Sequence, residues 1–185
     1  MRVFKFGGAS IKDAEGVKNL VKVLNETGYD NILIVVSAMG KTTNSLERVI
    51  KNYFDNHAEL KSSIKEIQTS HDEIISQLFK VASHPIISKI NNLFIELTNF
   101  FGRNKSPDYN FVYDQVVGFG ELISTSIISA YLNEIGIKNH WLDIREYVKT
   151  DSYYRNAKVN WKATQSLISK QIKINTLNIT QGFIA

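Results

Sequence analysis

Apolar positions along the chain change period several times, and each change predicts an element. Val3 to Phe6 is a short apolar run interrupted by Lys5 and followed by Gly7-Gly8. Val17, Leu20, Val21 and Leu24 then recur at i, i+3, i+4 and i+7, the spacing of one helix face, and Gly28 is placed to end that helix. Ile32 to Val36 is continuously apolar, as expected of a strand covered on both faces in a parallel sheet; Leu46, Val49, Ile50 and Tyr53 mark a second helix. The opening stretch is therefore a βαβα unit. From about Glu59 to Phe101 the pattern is helical throughout. Leu60, Ile64, Ile67, His71, Ile74 and Leu78 share one stripe; Pro85 starts a new helix continued by Ile90, Leu93, Phe94 and Leu97. This segment, about 59–101, reads as a helical insertion, with GRNKSP as its exit loop. Beyond it, Glu121 to Glu134 predicts a helix stopped by Gly136, HWLDI a short strand, Val159 to Lys170 a helix, and Leu177 to Ile184 a last strand. The class is α/β, with an open, mostly parallel sheet flanked by helices.

Composition narrows this picture without redirecting it. With 43% hydrophobic residues among 185, the chain can bury one sizeable core, and no segment is of low complexity. The 22 basic and 18 acidic residues are scattered along the helical stretches, which describes a solvated surface and not a nucleic-acid footprint. There is no cysteine, hence no disulfide and no thiolate metal site, and His57, His71, His84 and His140 lack ligand spacing. The start, MRVFKFGG, is too short and glycine-broken for a signal peptide, and no run approaches the roughly 20 apolar residues of a spanning helix. The expectation is a cytoplasmic protein without membrane or nucleic-acid partners.

Open α/β sheets bind ligands at the carboxyl ends of their strands, and three loops stand there. KFGGAS, Lys5 to Ser10, sets a lysine beside two glycines whose backbone can approach a ligand closely, and free amides before a helix favour phosphate. It is equally a tight turn with Lys5 snorkelling from an edge strand. VVSAMGKTTN, Val35 to Asn44, ends its glycine segment in Gly40-Lys41-Thr42, the close of a phosphate-gripping P-loop. The glycine required five positions earlier is Val35, so that reading fails. The loop still offers the Ser37, Thr42 and Thr43 hydroxyls; its plain alternative is a helix capped by Thr43 or Asn44. GFGELISTS, Gly118 to Ser126, places Glu121 in a first helical turn, where a glutamate can simply answer the helix dipole.

Taken together, KFGGAS, VVSAMGKTTN, GELIST, Thr150-Asp151 and GFIA near the end resemble, in order and spacing, the aspartate kinases of the amino acid kinase fold. The resemblance covers nearly the whole chain. Ala9 departs from it, since the family usually has threonine there. So does the end: the family usually continues from GFI into a GRGGSD segment, a nucleotide-binding half and ACT regulatory domains. The resemblance implies a three-layer, amino acid kinase-like fold, with residues 1–185 as the amino-acid-substrate half of a catalytic domain, inactive alone. It implies transfer of the ATP γ-phosphoryl group to the β-carboxylate of L-aspartate, giving 4-phospho-L-aspartate on the way to lysine, threonine and methionine. Mg2+ would be held mainly by the ATP phosphates, and the full-length protein would be a homo-oligomer.

Residue by residue, the resemblance assigns Lys5, with Phe6, Gly7 and Gly8, to the ATP phosphates, and Lys5 to catalysis. It assigns Ser37, Thr43, Glu121 and Phe183 to aspartate: Glu121 to the ammonium, the hydroxyls to the carboxylates, with the Phe183 backbone nearby. The residue types suit the chemistry. Phosphoryl transfer needs positioning and positive charge, and a carboxylate acceptor is nucleophilic at pH 7 without a general base. On this reading Gly40-Lys41-Thr42 belongs to a substrate loop, with Lys41 facing solvent. Two alternatives remain: another kinase of the fold, such as acetylglutamate kinase, or a folded amino-acid-binding fragment that catalyses nothing.

Overall fold

The computed structural model describes residues 1–183. Strands β1 (Arg2–Phe6), β2 (Ile32–Val36), β3 (Asn139–Leu142) and β4 (Leu177–Gln181) form one sheet in the order β1-β2-β4-β3, with every pairing parallel. The sequence pattern led to a mostly parallel sheet; the described one is wholly so. The expected last strand stops at Gln181, Gly182-Phe183 are coil, and Ile184 lies outside the described residues.

Helix α1 (Ala14–Thr27) starts where the Asp13 carboxylate accepts from the Gly16 amide at 2.8 Å, and it ends at Gly28, whose φ of +69° is open to glycine at little strain. Helix α2 (Thr42–Asp55) follows β2. Its N-cap is Lys41 and no side chain caps it, so the reading of Thr43 or Asn44 as a cap is corrected: both lie inside the helix, and the Thr42 hydroxyl instead bonds the Met39 carbonyl at 2.6 Å. The insertion is two long helices, α3 (Leu60–Leu78) and α4 (Pro85–Arg103), and the six-residue stripe expected for α3 is buried throughout.

A further helix, α5 (Tyr109–Val117), capped by Asp108, fills the stretch the apolar pattern left blank. It runs through Gly118 almost directly into α6 (Phe119–Glu134). Together Tyr109–Glu134 are long and apolar enough to cross a membrane, which corrects the expectation that no run is. Most of that stretch is buried inside the fold, as a central core helix requires. Helix α7 (Trp161–Gln171), capped by Asn160, completes the set.

The sheet separates two unequal layers. Ile34, Ile179, Trp141 and Gln181 point toward α6, where the larger core gathers helices α1 to α6. Leu33, Leu142 and Thr180 point the other way, toward Ile168 of α7. Strand β2 accordingly buries Ile32, Ile34 and Val36 fully and leaves Leu33 and Val35 half-buried, a thinner second cover than its unbroken apolar run suggested. Strand β4, in the sheet interior, is buried at all five positions.

Candidate functional site

Three segments are tied together at the carboxyl ends of the strands. The Ser37 amide donates to the Phe6 carbonyl at 3.0 Å, the Gly40 amide to the Gly8 carbonyl at 3.0 Å, and the Gly182 amide to the Val36 carbonyl at 2.9 Å. The contact at Gly8 admits no side chain, because a Cβ there would lie 2.6 Å from the Ala38 oxygen and 2.9 Å from that of Gly40. Helix α6 brings its first turn against the same loop. A Cβ on Gly120 would stand 2.8 Å from the Ala38 Cβ, so this glycine is what lets the helix end approach.

That approach places Glu121. Its side chain is only 2% exposed, Oε1 accepts from the Ala38 amide at 3.1 Å, and Oε2 has no partner among the described residues. Burial pushes the carboxyl up to about 7, with donation from the Ala38 amide and from its own backbone only partly opposing. An ionised carboxylate with a free oxygen in such a place is costly unless a cation meets it. The dipole of α6 alone does not account for a glutamate turned inward.

The floor beneath Glu121 is braced by side chains. The Ser124 hydroxyl donates to the Ser37 carbonyl at 2.8 Å. Thr125 Oγ1 donates to the Glu121 carbonyl at 2.7 Å and accepts from Trp141 Nε1 at 3.0 Å and from Gln181 Nε2 at 2.8 Å. Gln181 Oε1 in turn accepts from the Ile144 amide at 2.8 Å. One hydroxyl thus joins α6, β3 and β4. The apolar pattern gave Thr125, Trp141 and Gln181 no role; the available signal was the Thr180-Gln181 pair in a strand too central to leave polar groups unpaired.

The model of the amino acid kinase family matches residues 1–185, the whole chain. The chain belongs to the amino acid kinase family. It is 33% identical over 159 residues to aspartokinase 1, chloroplastic, of Arabidopsis thaliana, an alignment covering 82% of this chain and 27% of the relative. With aspartokinase 2, chloroplastic, of the same plant, identity is 31% over 201 residues, covering 98% and 34%. The fold matches that of E. coli aspartokinase III in complex with aspartate and ADP, with a TM-score of 0.87, 24% identity, and coverage of 99% of this chain and 40% of that one. The chain therefore spans about a third of the length of the curated relatives it matches.

The structure brings some of the expected site residues together and leaves others apart. Phe6, Gly8, Ser37 and Glu121 are joined by the hydrogen bonds and contacts above, and Gly7 accepts from the Ser10 amide at 2.9 Å in the turn between them. Ser37 Oγ and Thr43 Oγ1 are half-buried and make no hydrogen bond among the described residues, so both hydroxyls are available. Lys5 is exposed, in register with Val35 on the sheet's edge strand, with no ion pair to another described residue. Phe183 follows Gly182 and is 47% exposed. Thr150-Asp151 is not joined to these loops; Asp151 Oδ1 accepts from the Tyr153 and Lys158 amides and closes an exposed turn. Lys41 is exposed, as expected.

Proposed function

We propose that these residues supply the amino-acid-binding half of an aspartate kinase, which transfers the γ-phosphoryl group of ATP to the β-carboxylate of L-aspartate. The observation that carries the reading is Glu121: a buried carboxylate with one oxygen committed to the Ala38 amide and the other free. An α-ammonium is a compact cation that suits a free carboxylate oxygen, and its charge would restore the ionised state that burial opposes. The names of the relatives, aspartokinases of Arabidopsis, and the aspartate and ADP bound by the E. coli neighbour agree with this choice.

In this assignment the chain's own groups divide the work. Glu121 Oε2 receives the ammonium, while Ser37 Oγ and Thr43 Oγ1 donate to the carboxylates and turn the β-carboxylate toward the phosphate loop. The Phe183 backbone closes the same side. Gly7 and Gly8 present backbone to the phosphates, and the Lys5 ammonium, free of protein partners, stabilises the charge spread over the transferring group. No group need remove a proton, because the acceptor is already a carboxylate. Among the described residues no cluster of three histidines or carboxylates could hold a metal ion. Magnesium, as the resemblance implies, would ride on the nucleotide phosphates and neutralise charge there.

The test is a hydroxamate trap. The product of the complete reading frame, given ATP, Mg2+ and L-aspartate with hydroxylamine, should form aspartyl hydroxamate. Turnover with N-acetylglutamate and none with aspartate would overturn the substrate assignment.

A further inference from the structure

The Thr150-Asp151 pair stands apart from the strand-end loops, yet the turn it opens grips a helix that leads to them. Thr150 bridges Val159 in antiparallel fashion, and Asp151 Oδ1 accepts from the Tyr153 and Lys158 amides across the turn. At the tip Arg155 adopts a φ of +63°, a left-handed conformation that costs a non-glycine residue free energy and persists where contacts hold it. The contacts are with α5. The Arg155 amide donates to Asp114 Oδ2 at 2.8 Å, its Nη1 to Asn110 Oδ1 at 3.4 Å, and its guanidinium carbon lies 4.4 Å from the centre of the Tyr113 ring.

Tyr113 carries that grip to α2. Its hydroxyl donates to Glu47 Oε1 at 3.0 Å, the one hydrogen bond that joins α2 to α5 or α6 among the described residues. Burial, and then the bond to Glu47, raise the Tyr113 pKa above its ordinary value, so the hydroxyl keeps its proton as a donor. Near the site α2 meets α6 by close contact instead: a Cβ on Gly120 would stand 3.4 Å from Leu46 Cδ1 and from Thr42 Cγ2. Contact of that kind fixes the separation of two helices better than their register, because packed helices can slide, whereas a hydrogen bond is directional.

Both ends of the link lead to residues assigned to the substrate. Glu47 stands one turn beyond Thr43 on the same face of α2. Helix α5 continues from Tyr113 through Gly118, itself helical, into α6 and Glu121.

We propose that Tyr113 is a positioning residue for the amino-acid substrate: held by Arg155 and bonded to Glu47, it sets the register of α2 against α6 so that Thr43 and Glu121 engage one aspartate molecule together. The proposal rests on the function proposed above, which assigns Thr43 and Glu121 to aspartate.

The test is steady-state kinetics on the product of the complete reading frame. Tyr113→Phe deletes the hydroxyl and keeps the ring under Arg155; it should raise the aspartate KM by about threefold to tenfold, with kcat and the ATP KM unchanged. Glu47→Ala should do the same, and the double variant should be no worse than either single one, since both act through one bond. Glu47→Gln keeps an acceptor oxygen and should restore the unaltered KM. Arg155→Gly suits the left-handed backbone and deletes only the guanidinium, so it should raise the aspartate KM without lowering the melting temperature. A merely structural role would remove folded enzyme and lower kcat at a constant KM; that pattern in Tyr113→Phe, or variants that all match the unaltered enzyme, would overturn the positioning role and leave the aspartate assignment standing. An unaltered enzyme that does not turn over aspartate would overturn the assignment and the positioning role with it.

Discussion

Replacing Glu121 by Gln separates a burial cost from a binding role, and the pH dependence of stability shows which is present. In the fold this carboxyl is raised from 4.5 to about 7. A group whose folded-state pKa is raised favours the protonated folded form: its contribution is fully present below about 4.5 and is lost as pH climbs through about 7. At about 1.4 kcal/mol per unit, the loss across that window is on the order of 3 kcal/mol. Glu121→Gln keeps the shape and an oxygen for the Ala38 amide, but it cannot ionise. Chemical denaturation between pH 5 and 8 should therefore show the unaltered protein losing about 2.5 kcal/mol more than the variant over that range. Other titrating groups cancel in the difference. Saturating L-aspartate should then raise the stability of the unaltered protein at pH 8, because ligand binds only the folded form, and should help the variant much less. Two parallel pH profiles, within about 0.5 kcal/mol, would show that Glu121 does not titrate in this window and would remove the physical basis of its role.

The remaining predictions concern its neighbours and controls. In steady-state kinetics on the product of the complete reading frame, Glu121→Gln should raise the aspartate KM by roughly tenfold to a hundredfold, about 1.4–2.8 kcal/mol, with the ATP KM unmoved. Glu134→Gln, which at the far end of α6 disturbs only the 3.7 Å approach of His84 Nε2, should leave both constants unchanged. Lys5→Ala should lower kcat by about 10² or more at a constant melting temperature, since Lys5 is exposed and pairs with no described residue; a loss of stability without loss of kcat would return Lys5 to a surface role. Gly8→Ala should destabilise by about 1–3 kcal/mol in thermal melts, because its Cβ would meet the Ala38 and Gly40 carbonyl oxygens at 2.6 and 2.9 Å; a melt unchanged by that substitution would mean the two loops can part freely.

The fold was legible where periodicity was strong. The α1 positions Val17, Leu20 and Leu24, the α3 stripe through His71, and Pro85 at the head of α4 stand where the pattern put them, because each face has one core to meet. Helix α5 is only nine residues long, and its buried Val112, Tyr113, Val116 and Val117 make barely one repeat of a stripe, too little to mark a helix; α6 was expected from Glu121 and begins two residues earlier, at Phe119. The cap of α2 was misread because a hydroxyl before a helix looks alike whether it caps the helix or bonds the preceding turn, as Thr42 does with Met39. At the site, residue types were visible but their direction was not. That Glu121 turns inward to the Ala38 amide, with Gln181 and Trp141 meeting on Thr125 below, depends on contacts between segments more than fifty residues apart for Gln181 and more than eighty for Ala38.

The central claim is that one buried carboxylate recognises one ammonium, and a calorimetric comparison of L-aspartate with succinate tests it most directly. Succinate keeps both carboxylates and lacks the ammonium, so titrating each into the unaltered protein and into Glu121→Gln isolates the coupling between the two charges. The account predicts that the unaltered protein prefers aspartate by about tenfold to a hundredfold and that this preference disappears in the variant. A preference of the same size in both proteins, or none in the unaltered one, would contradict it.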